Sequence, residues 1–156
     1  MGDLFTSHLE WTGAANGPTR DPVTFSRDLT VSMDHTTLPM SSAPGYRGNP
    51  SRANPEQLFV ASLSACQALT YLFLAAKNKI PVIGYRDDAE GHLALVDGKT
   101  RMAGATLRPL ITLEAGASEA RARELVAKAH ASCFIANSVA TPVDVVPAFA
   151  FAEAAA

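Results

Sequence analysis

Two thiols and one carboxylate define the chemistry this sequence can support. Cys66 lies in the middle of an uncharged run, LFVASLSACQALTYLFLAA over residues 58–76, that contains neither Gly nor Pro. Ser62, Ser64, Gln67 and Thr70 are its main polar marks. Glu56 stands just ahead of the run, and the other cysteine, Cys133, follows a second helical segment. A free cysteine ionises at about pH 8.5, and apolar surroundings raise that value because they penalise the charged form. A buried thiol is then inert unless a cation stabilises its thiolate. Arginine suits this role because it stays charged when buried. A carboxylate such as Glu56 can hold the guanidinium through a bidentate pair. Thiolate, guanidinium and carboxylate together can reduce a peroxide. The thiolate attacks a peroxide oxygen and becomes a sulfenic acid, and a second thiol condenses with it to a disulfide. An external thiol then reduces that disulfide by exchange. The competing reading for either cysteine is a small core hydrophobe.

Composition narrows the class. The chain has 156 residues, which is most simply one domain over 1–156, and a formal net charge of −2. Nothing in that balance calls for nucleic acid or an anionic membrane surface. Two cysteines are too few for a disulfide scaffold, and in a reducing cytosol a cysteine pair points to catalysis or redox sensing. The opening residues, MGDLFTSHLEW, show no basic region followed by an apolar stretch, so a secretory leader is not expected and a cytoplasmic location is. Gly2 and Thr6 fit a loose acylation pattern, but no polybasic partner follows.

The elements that must position these groups follow from periodicity. Asn54 suits an N-cap, Pro55 the first helical position and Gln57 a capping box, so a helix opens here and runs through Cys66. The run is long enough to span a bilayer. Its four polar interruptions and the lack of a second span favour a buried helix of a soluble fold. One small domain cannot enclose such a helix completely, so a sheet is expected on one side and a partner subunit on another. Residues 4–14 read as a strand, and residues 23–33 alternate apolar and polar with the period of a half-buried strand. Arg27 falls on the apolar face of that alternation and should have a partner or a function. Residues 34–53, rich in Pro, Ser and Gly, read as a long loop carrying Arg47 and Arg52. A strand region begins at Pro81, Asp97-Gly98 marks a hairpin, and residues 102–114 form the returning strand, with Pro109 arguing for an edge or a bulge. Ser118 caps a helix to about Ala131, whose stripe of Ala122, Leu125, Val126 and Ala129 leads to Cys133. Residues 143–151 read as a last strand.

Three groups of residues resemble the OsmC/Ohr family of thiol-dependent organic hydroperoxide reductases and their osmotically induced relatives. They are Asn54-Pro55-Glu56-Gln57-Leu58-Phe59, Ser64-Ala65-Cys66, and Ala129-His130 with Cys133-Phe134-Ile135-Ala136-Asn137-Ser138. The resemblance covers most of the chain, from about Trp11 to Pro147. It implies an α+β fold that forms an intertwined homodimer, with two central buried helices wrapped by antiparallel-rich sheets and active sites at the interface. By the same resemblance Cys66 is the peroxidatic thiol, Cys133 the resolving thiol, and Glu56 the carboxylate that orients an arginine. That arginine is Arg27 or Arg20, with Arg47 third; Arg27 is favoured because it points inward. The hydroperoxide-reductase branch has Pro after the second cysteine, where this chain has Phe134.

The expected activity is reduction of organic, hydrophobic hydroperoxides without a metal or bound cofactor, recycled by an external dithiol or lipoyl-type reductant. The alternative is a dimer of the same fold that senses redox state or binds an apolar ligand without turnover. His130-x-x-Cys133 supplies only half a zinc site, with His8, His35 and His92 scattered, and there is no G-x-S-x-G elbow for a serine hydrolase.

Overall fold

The structure is a computed structural model and describes residues 2–153. Its chain divides into two compact units, Met1–Leu58 and Phe59–Ala156.

The first unit carries one antiparallel sheet. Strands β1 (His8–Glu10), β2 (Leu29–Met33) and β3 (Thr36–Met40) lie in the order β1-β2-β3. The strand expected over 4–14 is confined to β1, because a 3-10 turn at Thr12–Asn16 follows it. Gly13 sits in that turn, where a Cβ would collide with the Trp11 indole nitrogen and stand 2.6 Å from the Ser26 carbonyl oxygen, so only glycine fits. The alternating segment 23–33 is a strand only from Leu29. Asp21 holds the preceding residues in a turn by accepting from the amides of Val23, Thr24 and Phe25, which removes them from any ladder. The expected loop 34–53 contains a strand: Asp34-His35 makes a two-residue turn with Asp34 at φ 47°, and Thr36–Met40 returns against β2. β3 is an edge strand and therefore tolerates Pro39. Beyond it, Gly48 passes so close to Ser42 that an added Cβ would overlap its carbonyl oxygen. Asn54 and Gln57 form the reciprocal capping box, each side chain accepting from the other's amide at 2.9 and 3.0 Å.

Helix α1 (Pro55–Lys77) runs from that cap. Among the described residues it is the one helix long and apolar enough to cross a membrane. In this fold it is a core helix: Leu63, Gln67, Tyr71 and Ala75, spaced at four residues, are its buried line.

The second unit holds two three-stranded sheets. β4 (Val82–Asp87), β7 (Pro109–Leu113) and β9 (Ala148–Phe151) form one; β5 (Glu90–Val96), β6 (Lys99–Leu107) and β8 (Val143–Val145) form the other. The β4–β7 and β5–β6 pairs are antiparallel, whereas β8 and β9 add in parallel. The β5–β6 hairpin turns at Asp97-Gly98, with φ of 52° and 75°, as the sequence requires. Pro109 departs from expectation. It opens β7, the central strand of its sheet, and is fully buried. The first residue of a strand is a place where a missing N–H is tolerated. The last strand is two strands, broken at Val146-Pro147.

Helix α2 (Glu119–Ser132) is capped by Ser118, whose hydroxyl accepts from the Arg121 amide. Ala122, Leu125, Val126 and Ala129 pack with Tyr71 and Ala75 of α1 and with Ile111 and Leu113 of β7. The Glu119–Arg123 pair forms at 2.7 Å, and Arg123 also covers the Phe149 ring at 4.8 Å. Leu63 packs in a smaller cluster with Ala105 and Leu107 of β6.

Candidate active site

The site grows from two elements of the second unit. Near its midpoint α1 presents Cys66, half-buried, one position before the fully buried Gln67. Gln67 donates to the Val126 carbonyl of α2, which ties this part of the helix to its neighbour. α2 ends at Cys133, which takes an extended conformation (φ −69°, ψ 116°) and is buried. The chain then makes a tight turn, Phe134-Ile135, into a 3-10 turn at Ala136–Ser138.

The turn is tied down by its own polar side chains. Asn137 donates from Nδ2 to the carbonyls of Ala131 (3.0 Å) and Cys133 (2.9 Å), and Ser138 donates from Oγ to the Phe134 carbonyl at 2.7 Å.

The surroundings of the two thiols push them in opposite directions. Burial raises the Cys66 pKa. Hydrogen bonds from the Ile135 amide, the Cys133 thiol, the Phe134 amide and the Thr70 hydroxyl oppose it, and the balance falls below the ordinary 9.0. Cys133 moves above 9.0: burial raises it, and its contact with Cys66 adds to the rise. One thiol is thus set up to ionise first, and the other to hold its proton beside it. Both cysteines are free.

A cavity of about 410 Å³ is lined by Leu69, Thr70, Phe73, Leu74, Ser132 and Phe134. Thr70 lies one turn along α1 from Cys66, and Ser132 and Phe134 flank Cys133 in the chain. The cavity wall is apolar apart from two hydroxyls, which suits the organic part of a hydrophobic molecule.

The remaining residues singled out from the sequence belong to the first unit. Arg27 is half-buried but does not lie on a strand face. It donates to the carbonyls of Phe25 (2.9 Å) and Pro22 (2.6 Å) and stacks over the Phe25 ring at 4.2 Å. Its place on the apolar face of the alternation is explained by that aromatic contact. Arg20 and Arg47 are exposed, and Arg47 takes a left-handed conformation with φ 65°. Arg52 pairs with Asp28 at 3.4 Å. Glu56 is in the first turn of α1. Its Oε2 is buried without a hydrogen-bond partner among the described residues, and it forms no ion pair there. The structure therefore carries Cys66 and Cys133 on the packed helices α1 and α2 and adds Thr70 and the 134–135 amides to the groups that act on the thiols, which sequence reasoning missed. Thr70 had a signal, its one-turn spacing from Cys66. The amides had none, because every residue but proline carries one.

Comparison with known proteins gives a consistent picture. The sequence model of the family described as OsmC-like protein matches residues 48–147. No curated protein matches the chain. An OsmC-like protein of unknown function from Vibrio cholerae is similar over 96% of this chain and 100% of its own, with 30% identity and a TM-score of 0.82. An organic hydroperoxide resistance protein from Elizabethkingia anophelis, solved with thiocyanate bound, is 23% identical with a TM-score of 0.70, covering 97% of this chain and 100% of its own. The organic hydroperoxide resistance protein OhrB of Bacillus subtilis is 22% identical with a TM-score of 0.64, covering 95% and 100%. At these last identities the likeness is one of fold.

Proposed function

This chain belongs to the OsmC-like protein family, and from that premise we propose that it is a thiol-dependent peroxidase that reduces organic hydroperoxides at Cys66. One observation supports the reading: two free thiols on the packed helices α1 and α2, with an apolar cavity lined by Thr70, one turn from Cys66, and by Ser132 and Phe134, which flank Cys133. Two proteins of like fold bear the name of organic hydroperoxide resistance.

The Cys66 thiolate attacks the terminal oxygen of R–OOH. The S–O bond forms as the O–O bond breaks, sulfur is oxidised by two electrons, and the alkoxide leaves with a proton as R–OH. Cys133 then condenses with the Cys66 sulfenic acid, releasing water and forming the Cys66–Cys133 disulfide. An external dithiol, such as a lipoyl-type reductant, restores both thiols by exchange and leaves as its own disulfide.

The reading includes a homodimer. Leu69 and Phe73 are 70% and 65% exposed on an otherwise apolar helix, a patch that a second copy would cover. Ten residues separate Glu56 from Cys66 in the sequence, which is roughly 15 Å of helix rise. One guanidinium does not bridge that distance. The carboxylate and the arginine it orients, Arg27 or else Arg20 or Arg47, are therefore assigned to the Cys66 of the second copy.

The test is stopped-flow consumption of cumene hydroperoxide by the reduced protein, with mass spectrometry of the product under non-reducing conditions. The expected result is rapid consumption, loss of two hydrogens, and a Cys66–Cys133 crosslink. No consumption with both thiols still free overturns the reading.

A further inference from the structure

Helix α1 is apolar on nearly every face, so burial alone does not choose which face it turns inward. Leu69 and Phe73 are exposed in one copy, while Gln67 is fully buried. The Gln67 Oε1 has no partner among the described residues, and burying such an atom costs free energy. Turning Phe73 inward would bury more apolar surface, so polar bonds must hold the helix at its observed rotation. The Gln67 bond to the Val126 carbonyl is long, at 3.3 Å. The Ser64 bond is short. A serine inside a helix commonly donates back to a carbonyl of its own preceding turn, as Ser62 does to Phe59 at 2.8 Å. Ser64 instead donates from Oγ to Asp87 Oδ2 at 2.5 Å, across 23 residues, in the range of charge-assisted bonds. The other Asp87 oxygen accepts from the Arg108 amide at 2.6 Å. Asp87 ends β4 opposite Pro109, which has no N–H to give the ladder. This carboxylate is thus fixed to the sheet by one oxygen and grips the helix with the other.

Helix geometry connects that grip to the thiol. At about 100° per residue, Ser64 and Phe73, nine residues apart, lie on opposite sides of α1, whereas Cys66 and Phe73, seven apart, share a face. A rotation that turns Phe73 inward carries Cys66 with it and draws Ser64 away from Asp87. A helix with its side chains is about 10–12 Å across, so a rotation of about 20° shifts a side-chain tip by about 2 Å. We propose that Asp87 is a positioning residue: through its bond to Ser64 it sets the rotation of α1 about its own axis and so keeps Cys66 from turning into the core. The inference rests on the reading above for its role in turnover, but not for the direction in which Cys66 faces.

Ser64→Ala deletes the grip and leaves the Asp87 charge and the helix propensity in place. Iodoacetamide alkylation of Cys66, resolved from Cys133 by peptide mass spectrometry, is measured from pH 6 to pH 10 on the reduced full chain. The limiting rate at high pH is compared, so that a change in acidity does not enter. Inward rotation of Cys66 predicts a limiting rate about 10-fold lower in Ser64→Ala, with single-turnover consumption of cumene hydroperoxide slowed to a similar extent. The sign separates this from a merely structural role, because a loosened fold exposes the thiol and speeds alkylation. Ser64→Thr keeps the hydroxyl donor and should bring both rates back to within about threefold of wild type. A folded Ser64→Ala protein that alkylates at or above the wild-type rate overturns the proposal, as does a Ser64→Thr protein as slow as Ser64→Ala. Slower alkylation with wild-type peroxide consumption overturns the positioning role. If Ser64→Ala does not fold, Asp87→Asn, which removes the charge from the bond, is judged by the same rates. Wild-type protein that fails to consume cumene hydroperoxide, while the alkylation rates come out as expected, removes the peroxidase and leaves the helix tether.

Discussion

At the scale of single residues, the two cysteines are chemically alike and are separated only by what touches them. Cys66 gains donors that outweigh its burial, and Cys133 does not. Replacing Cys66 by Ser should abolish peroxide turnover. Replacing Cys133 by Ser should leave one oxidation of Cys66 per chain and stop recycling by dithiols; normal recycling in that variant would show that another thiol resolves the sulfenic acid. The pH dependence separates the two steps. With the Cys66 pKa lowered, the midpoint of the pH profile of single-turnover peroxide consumption should lie below pH 9. Disulfide formation needs the Cys133 thiolate, whose pKa lies above 9.0, so that step should keep accelerating beyond pH 9. Stopped-flow consumption and acid-quenched mass spectrometry follow the steps separately, and identical pH profiles would contradict the assignment.

At the scale of elements, α1 depends on its ends and on one buried line. Asn54→Ala removes half of the capping box and should cost about 1 kcal/mol in urea denaturation. Tyr71, in the middle of the line, is fully buried with its hydroxyl unpartnered among the described residues. Tyr71→Phe should therefore be neutral or slightly stabilising at pH 7, because it deletes a buried polar atom that has no bond to lose. Burial pushes the Tyr71 pKa from 10.0 up to about 12. A raised pKa means that the folded state holds the proton more tightly, so this contribution is intact below pH 10 and is lost as pH rises from 10 towards 12. Tyr71→Phe should flatten the alkaline limb of the stability curve measured by urea denaturation; an unchanged limb would assign it to Tyr85, which burial also raises. Element boundaries show how much was legible. The α1 cap, the Asp97-Gly98 hairpin and the α2 stripe were readable because each rests on neighbours in sequence. The start of β2 was not, since Asp21 takes amides that alternation alone would leave for a ladder. The central position of Pro109 was not either, because which strand flanks β7 is decided by β9, far along the chain.

At the scale of the whole molecule, the exposed apolar line of α1 is the feature that a single copy leaves open. Phe73→Glu should convert the proposed dimer to a monomer in sedimentation velocity. A variant that stays dimeric would place the interface elsewhere, and a monomer with full activity would return the arginine to the same chain.

The sequence by itself determined the family likeness, the α+β class, the central helix with its cap, and the two cysteines as the candidate thiols. These follow from local patterns: residue type, spacing and periodicity within a few turns. Only the tertiary structure decided which groups raise or lower the two thiol pKa values, that Arg27 rests on Phe25, and that Thr70, one turn from Cys66, lines an apolar cavity. The physical reason is the same in each case. A backbone amide carries no sequence label, and a pKa is set by groups that meet across large sequence separations, so neither can be read until the chain has folded.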